Sequence, residues 1–218
     1  MHIPDGYLDV WVLALFFVLT AIMLVLAFRK ANKIVEDRHI PLFAVLTAAV
    51  FAAQMINWPV GPGGTTAHLV GGALIAIFLG PYGGLIAMAV ILLIQAFLFG
   101  DGGITALGAN IWNMGVVDCF VGYYLYRVIS KALGDTPRGK IIGAFFGGWI
   151  GITLAAFFCG LEIGISTIFP YNIAVSVPVM TIYHCLLGTI EGFITAFVVG
   201  YTLKVRPDLL ELPKINPP

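Results

Sequence analysis

From His39 through Gly100 the chain carries not one Asp, Glu, Lys or Arg. Such a run suits three membrane crossings with two very short or apolar connections, and is far from the roughly 25% charged make-up of soluble domains. Lipid is therefore the solvent. The whole chain agrees: 60% of residues are hydrophobic, 10% are charged and the mean hydropathy is +1.01, against roughly 25% charged in soluble domains. The formal net charge is zero and no basic run interleaves with aromatics, which excludes nucleic acid as a partner. Cys119, Cys159 and Cys185 all fall in apolar runs without CxxC spacing, so they read as small packing residues rather than a disulfide framework or thiolate site.

A spanning helix needs about 20 mostly apolar residues, and on that basis seven spans are predicted: 8–28, 40–57, 68–81, 83–100, 106–128, 141–161 and 174–203. The third is short, and GPYGG at 80–84 separates it from the fourth. Basic residues orient the bundle. With seven crossings and the N-terminus outside, the inner segments hold Arg29, Lys30, Lys33, Arg38, Arg127, Lys131, Arg138, Lys140, Lys204, Arg206 and Lys214, which are all eleven basic residues of the chain. The expectation is an all-α, polytopic membrane protein: one domain over 1–218, with an N-terminal segment 1–7, a seven-helix bundle 8–203 and an inner tail 204–218. Asp5, Asp9, Asp101 and Glu162 are left on the outer face, an acidic surface suited to a cation.

That outer face also holds NWPVGPGGTTAH (57–68), DGGITALGANIWN (101–113) and the opening MHIPDG. The opening lacks the positive n-region of a secretory signal peptide, so this end is expected to be mature, with Met1 retained ahead of the bulky His2. An N-terminal Met-His has distinctive chemistry. The α-amine, the peptide nitrogen of His2 and its ring Nδ1 can close a five- and a six-membered chelate ring around one metal, placing three nitrogens nearly in a plane. A second imidazole, from His68, completes a four-nitrogen square, the geometry of nickel(II) or copper(II) rather than tetrahedral zinc. Displacing the amide proton also demands a late first-row ion, not calcium or magnesium.

MHIPDGYL, GPGGTTAHLVGG and LGANIWNMGVVD together resemble the signature stretches of the NikM/CbiM family, the substrate-binding (S) components of energy-coupling factor transporters for nickel or cobalt, and the likeness runs along nearly the whole chain. The resemblance implies metal capture by the Met1 amine, the His2 amide and ring, and His68. It implies an S-component-like bundle with an extra N-terminal helix, no ATPase site of its own, nickel(II) or cobalt(II) as transported substrate and no organic cofactor. It implies as partners a membrane coupling (T) subunit and a pair of cytoplasmic ATPases in a prokaryotic cell membrane. Some relatives carry a fused two-helix extension where this sequence has the short tail RPDLLELPKINPP, so a small separate accessory membrane subunit is expected, or none is needed for binding. Family members also present a small-residue stripe to the coupling subunit. Here Ala44, Ala48 and Ala52 recur at four-residue spacing, a pattern that equally suits packing within the chain; Gly143, Gly147 and Gly151 make a similar stripe, read as internal packing.

Asn57, Asn110, Asn113 and Asp5 are candidates to orient a metal-binding imidazole. His184 and Glu191, seven residues apart, and Asp118 are ionisable groups within spans, either functional or members of an interhelical hydrogen-bond network. His39 is expected to anchor at the inner interface. An intramembrane metalloenzyme would need a motif such as HExxH, which is missing. A self-sufficient divalent-metal secondary transporter or channel, or a cobalt-specific S component serving cobalamin biosynthesis, are the alternative readings.

Overall fold

The structure, a computed structural model, describes residues 1–35, 37, 39–60 and 65–216. Arg38 and the GPGG stretch at 61–64, both used in the reading above, lie outside the described residues. The helices are α1 (Val10–Ile34), α2 (His39–Gln54), α3 (Gly72–Leu79), α4 (Pro81–Ile94), α5 (Leu107–Ile111), α6 (Asp118–Ala132), α7 (Pro137–Ile165), α8 (Ile173–Val205) and the short α9 (Asp208–Glu211). π-helical turns extend α4 through Gln95–Phe99 and join α5 to α6 through Trp112–Val117. Each predicted span thus coincides with helix. Two start signals are visible in the sequence: Thr136 accepts the Gly139 N–H at 3.1 Å ahead of Pro137, and Asn172 accepts the Ala174 N–H at 3.0 Å.

The chain is an all-helical membrane protein, as expected; the addition is a short antiparallel strand pair, β1 (Trp58–Val60) and β2 (Thr65–Ala67), with Trp58 opposite Ala67. By length and composition, four helical stretches among the described residues are long and apolar enough to cross a membrane: Val10–Ile34, Pro81–Phe99, Pro137–Ile165 and Ile173–Val205. α3, with 8 residues, reaches only about 12 Å at 1.5 Å per residue, well short of the roughly 30 Å hydrocarbon core.

The bundle is apolar on both sides. α8 turns Leu186, Phe193 and Phe197 outward, 64%, 68% and 72% exposed, as suits a surface solvated by acyl chains. Inside, α3 forms a buried axis packed on α4, α6 and α7. The glycine stripe of α7 packs within the chain: a Cβ at Gly147 would lie 2.6 Å from the Gly122 carbonyl oxygen on α6, and Gly143 and Gly151 press on Ser130 and Asp118. Ala44, Ala48 and Ala52 do the opposite and stand on the exposed face of α2.

Both ends of α3 are tied down. At its start no side chain caps the helix; instead the Glu191 carboxylate on α8 accepts the N–H groups of Val70 and Gly71, each at 2.8 Å. Asp118 on α6 lies against the same end, given room only by the missing side chains of Gly72 and Gly151. At its far end the chain turns at Gly80 (φ +83°), where any Cβ would collide with the backbone of Ile215. Here the C-terminal segment folds back: Ile215 N donates to Leu79 O at 2.9 Å, Tyr82 N to Ile215 O at 3.0 Å and Lys214 Nζ to Phe78 O at 2.7 Å. His39, expected at the lipid interface, is buried, with Nε2 3.0 Å from Pro213 O.

Candidate metal centre

The N-terminal segment dives into the bundle rather than lying on it. Met1 and Ile3 are each 2% exposed and His2 is 8% exposed. What draws them in is a set of backbone and side-chain bonds that the loop sequences supply. Asn110 grips Ile3 from both sides, accepting its N–H at 2.8 Å and donating to its carbonyl at 3.1 Å. Gly103 N also donates to Ile3 O at 2.8 Å. Asp5 accepts the N–H groups of Ile104 and Thr105 and the Thr105 hydroxyl. Asp9 does the same at Thr167, with its N–H at 2.9 Å.

These anchors deliver the Met1 amine to the strand pair. Its nitrogen lies 3.0 Å from Thr66 O, 3.2 Å from Thr66 Oγ1 and 2.9 Å from His68 Nε2. The tautomer of His68 follows from its other contact. Nδ1 is 2.9 Å from the Leu69 carbonyl, which only accepts, so Nδ1 carries the proton and Nε2 offers a lone pair to the amine. A carbonyl at the second ring nitrogen is the usual way to aim an imidazole at a metal. Glu191 holds the next two residues, Val70 and Gly71, so the intramembrane carboxylate fixes the loop that carries His68. Burial pulls the Met1 amine down from its ordinary 8.0 to about 6, with Cys159 and Asp101 opposing. At neutral pH the amine is therefore largely uncharged and able to ligate.

His2 stacks on His68 with ring centroids 4.5 Å apart and planes 6° from parallel. Its Nδ1 is 3.1 Å from Asp101 Oδ1, and Asn57 donates to Asp101 Oδ2 at 2.9 Å. Burial holds the His2 imidazole below its usual range, Asp101 only partly offsetting it. Stacked rings present parallel faces rather than converging lone pairs, so a planar four-nitrogen set requires His2 Nδ1 to turn from Asp101 toward the amine.

The structure thus brings together Met1, His2 and His68, with Asn57 reaching His2 through Asp101 and with Asn110 and Asp5 anchoring the segment. Asn113 does not join an imidazole: its amide donates to Glu162 at 2.7 Å. Glu162, read as part of the outer acidic surface, is 1% exposed. Asp101 and Gln95 are the residues that sequence reasoning passed over. Asp101 counted only as surface charge, and nothing in its spacing marks it as the partner of His2. Gln95 lies beside the His2 ring, fully buried, at the start of the π-helical turn that ends α4. Its signal was a lone amide in an apolar span. His184 sits nearby, its Nδ1–H donated to Met180 O at 2.8 Å. Among the described residues no three His, Cys, Asp or Glu side chains gather around one point, so side chains alone do not build a metal site here.

The sequence profile described as the cobalt uptake substrate-specific transmembrane region, CbiM, matches residues 2–209. The chain belongs to the CbiM/NikM family. It is the transmembrane nickel/cobalt-uptake component of an energy-coupling factor transporter, a transport protein and not an enzyme. Among its relatives, a protein of Archaeoglobus fulgidus that carries the name of a fused nickel transport protein, NikMN, is 54% identical over 97% of this chain and 68% of its own length. The cobalt transport protein CbiM of Geobacter sulfurreducens is 32% identical over 96% of this chain and 61% of its own. A crystal structure of a truncated transition metal transporter, 38% identical, superimposes with a TM-score of 0.88 over 94% of this chain and 99% of that one.

Proposed function

We propose that this CbiM/NikM chain captures nickel(II) from outside the cell through four nitrogens: the Met1 amine, the His2 peptide nitrogen and Nδ1, and His68 Nε2. The observation that carries the reading is the buried Met1 amine 2.9 Å from a lone-pair-bearing imidazole nitrogen, which brings to the chelating N-terminus the one ligand it cannot supply from within its own dipeptide. Asp101, beside His2, neutralises charge as the metal enters. Nickel is favoured over cobalt by the planar nitrogen set and by the higher identity to the nickel-named relative, 54% against 32%.

Calorimetry across pH tests the ligand set. Each proton displaced by the metal steepens the affinity by tenfold per pH unit. The amide proton is displaced at every pH, whereas the amine, titrating at about 6, competes only below that value. Nickel affinity therefore rises with a slope of about one proton above pH 6, and the slope approaches two below it. No amide proton released at pH 7.5 rules out the peptide nitrogen as ligand.

On the strength of the charge bias the N-terminus lies outside and the C-terminus inside, with residues 1–7 as chelating segment and 204–218 as cytoplasmic tail. Six of the seven segments face lipid, and α3 carries the chain across within the bundle, together with the non-helical residues 68–71 that lead into it. A cysteine introduced near Asp101 then reacts with an impermeant reagent from outside and one near Gly134 does not; equal labelling from one side rejects this topology.

A membrane coupling subunit and a pair of cytoplasmic ATPases drive delivery inward, and a small accessory membrane subunit works with them, a reading supported by relatives named as fused NikMN proteins. The exposure of Ala44, Ala48 and Ala52 supports the coupling subunit as their partner, since small residues let helices approach closely. Ala48→Leu is expected to abolish co-purification of the coupling subunit while leaving nickel affinity of the isolated chain within about twofold, because the site lies elsewhere and distant sites act independently. Equal loss of both would return the stripe to a structural role.

A further inference from the structure

We infer that Cys159 selects for metals that bind a deprotonated peptide nitrogen, by donating its thiol hydrogen to the Met1 carbonyl; the inference rests on the ligand set proposed above. Cys159 lies on α7, 2% exposed, with Sγ 3.6 Å from Met1 O. Met1 O is the carbonyl of the Met1–His2 peptide, whose nitrogen is the proposed ligand. The space around it is a cavity of about 10 Å³, lined by Met1, His2, Cys159, Ile163 and Met180 among others, with room for about one water. The thiol is the protein donor that the structure places on this carbonyl.

Amide resonance joins the two ends of a peptide group. When the metal binds, the His2 N–H bond breaks, a nitrogen–metal bond forms and the proton passes to bulk buffer. The electron pair left on nitrogen is shared with the Met1 oxygen. A hydrogen bond to an oxygen carrying that charge is stronger than one to a neutral carbonyl, so the same S–H contact, weak before binding, favours the metal-bound form. The benefit goes only to ions that displace the amide proton. Ions held by amine and imidazole alone, as zinc(II) would be, gain nothing from it. Cys159 acts through the peptide group and does not touch the metal.

The S–H stretch in infrared spectra of the full chain in detergent, with and without nickel, provides the test. One band, absent from Cys159→Ala, is expected to move to lower frequency on nickel binding, while the bands of Cys119 and Cys185 stay. In competition titrations Cys159→Ala is expected to lower the nickel-to-zinc affinity ratio by about tenfold, the scale of one hydrogen bond to a charged group, and Cys159→Ser, which keeps a donor, to restore most of it. A side chain that merely fills space would weaken both metals alike and leave the ratio unchanged, which would overturn the inference, as would an unmoved S–H band in the nickel-loaded protein. The wild-type band decides even where the alanine variant fails to fold. A form extended by one residue ahead of Met1 separates the two proposals: undiminished nickel binding there defeats the ligand set itself, whereas lost binding there with an unmoved wild-type band defeats only the role of Cys159.

Discussion

One residue added ahead of Met1 is expected to abolish high-affinity nickel binding. The extension converts the amine to a peptide nitrogen and moves the new amine out of five-membered-ring distance. It also has nowhere to go, since Met1 is 2% exposed and its nitrogen is enclosed by Thr66 and His68. Loss of an orienting partner alone costs 10- to 100-fold in metal affinity, so loss of a ligand, together with displacement of the segment, is expected to exceed about 100-fold. His68→Ala, which leaves the fourth position open, should match it. His39→Ala is the control: that ring contacts Pro213 at the other end of α3, and nickel affinity should stay within about twofold. Calorimetry on the tag-free, extended and two alanine forms gives the answer, and an extended form that binds as tightly as the native one would remove the amine from the mechanism.

Glu191→Ala is expected to be the most damaging substitution for stability. It strands the N–H groups of Val70 and Gly71 in a dry interior, at about 1–3 kcal/mol each, so roughly 2–6 kcal/mol in total. Those residues follow His68 directly, so nickel binding should fall with stability, while Glu191→Gln, which keeps one acceptor oxygen, should recover part of both. Thermal unfolding in detergent followed by nickel titration measures the two together. Undisturbed melting of the alanine variant would mean that the loop is held by something other than this carboxylate. In this respect Glu191 belongs to the hydrogen-bond network that was one of the two readings of the intramembrane acids, while Asp118 is wedged beside the same helix start, against Gly72 and Gly151.

Much of the architecture is legible before any coordinates, for a simple reason. In lipid every backbone group must be satisfied within its own segment, so apolar length converts directly to helix; all seven expected segments are helical. The GPYGG stretch was readable as a break because Gly80 adopts a conformation closed to other residues. What misled was depth. α3 is apolar throughout, and composition cannot tell a helix that spans lipid from one that is shielded by α4, α6 and α7 and stops after 8 residues. The pairing of Trp58–Val60 with Thr65–Ala67 was hidden as well, since strands of 3 residues are too short to register a period.

The candidate site divides along the same line. Met1, His2 and His68 are proposed from residue chemistry together with the family resemblance, because an amine one residue from an imidazole is a chelating arrangement wherever the chain goes; the structure adds that His68 lies against that amine. Their supports are not apparent. Asp101 reaches His2 across 99 positions of sequence (101 − 2) and Asn110 reaches Ile3 across 107, and no local pattern encodes contacts made by loops closing over an N-terminus. Asn113 and Asn110 stand three residues apart on one helical stretch, indistinguishable by type, yet one holds the N-terminal segment and the other turns to Glu162. Covalent neighbours and solvent preference are written in the chain itself; which buried polar group satisfies which other is settled only when helices pack and each must find a partner in the absence of water.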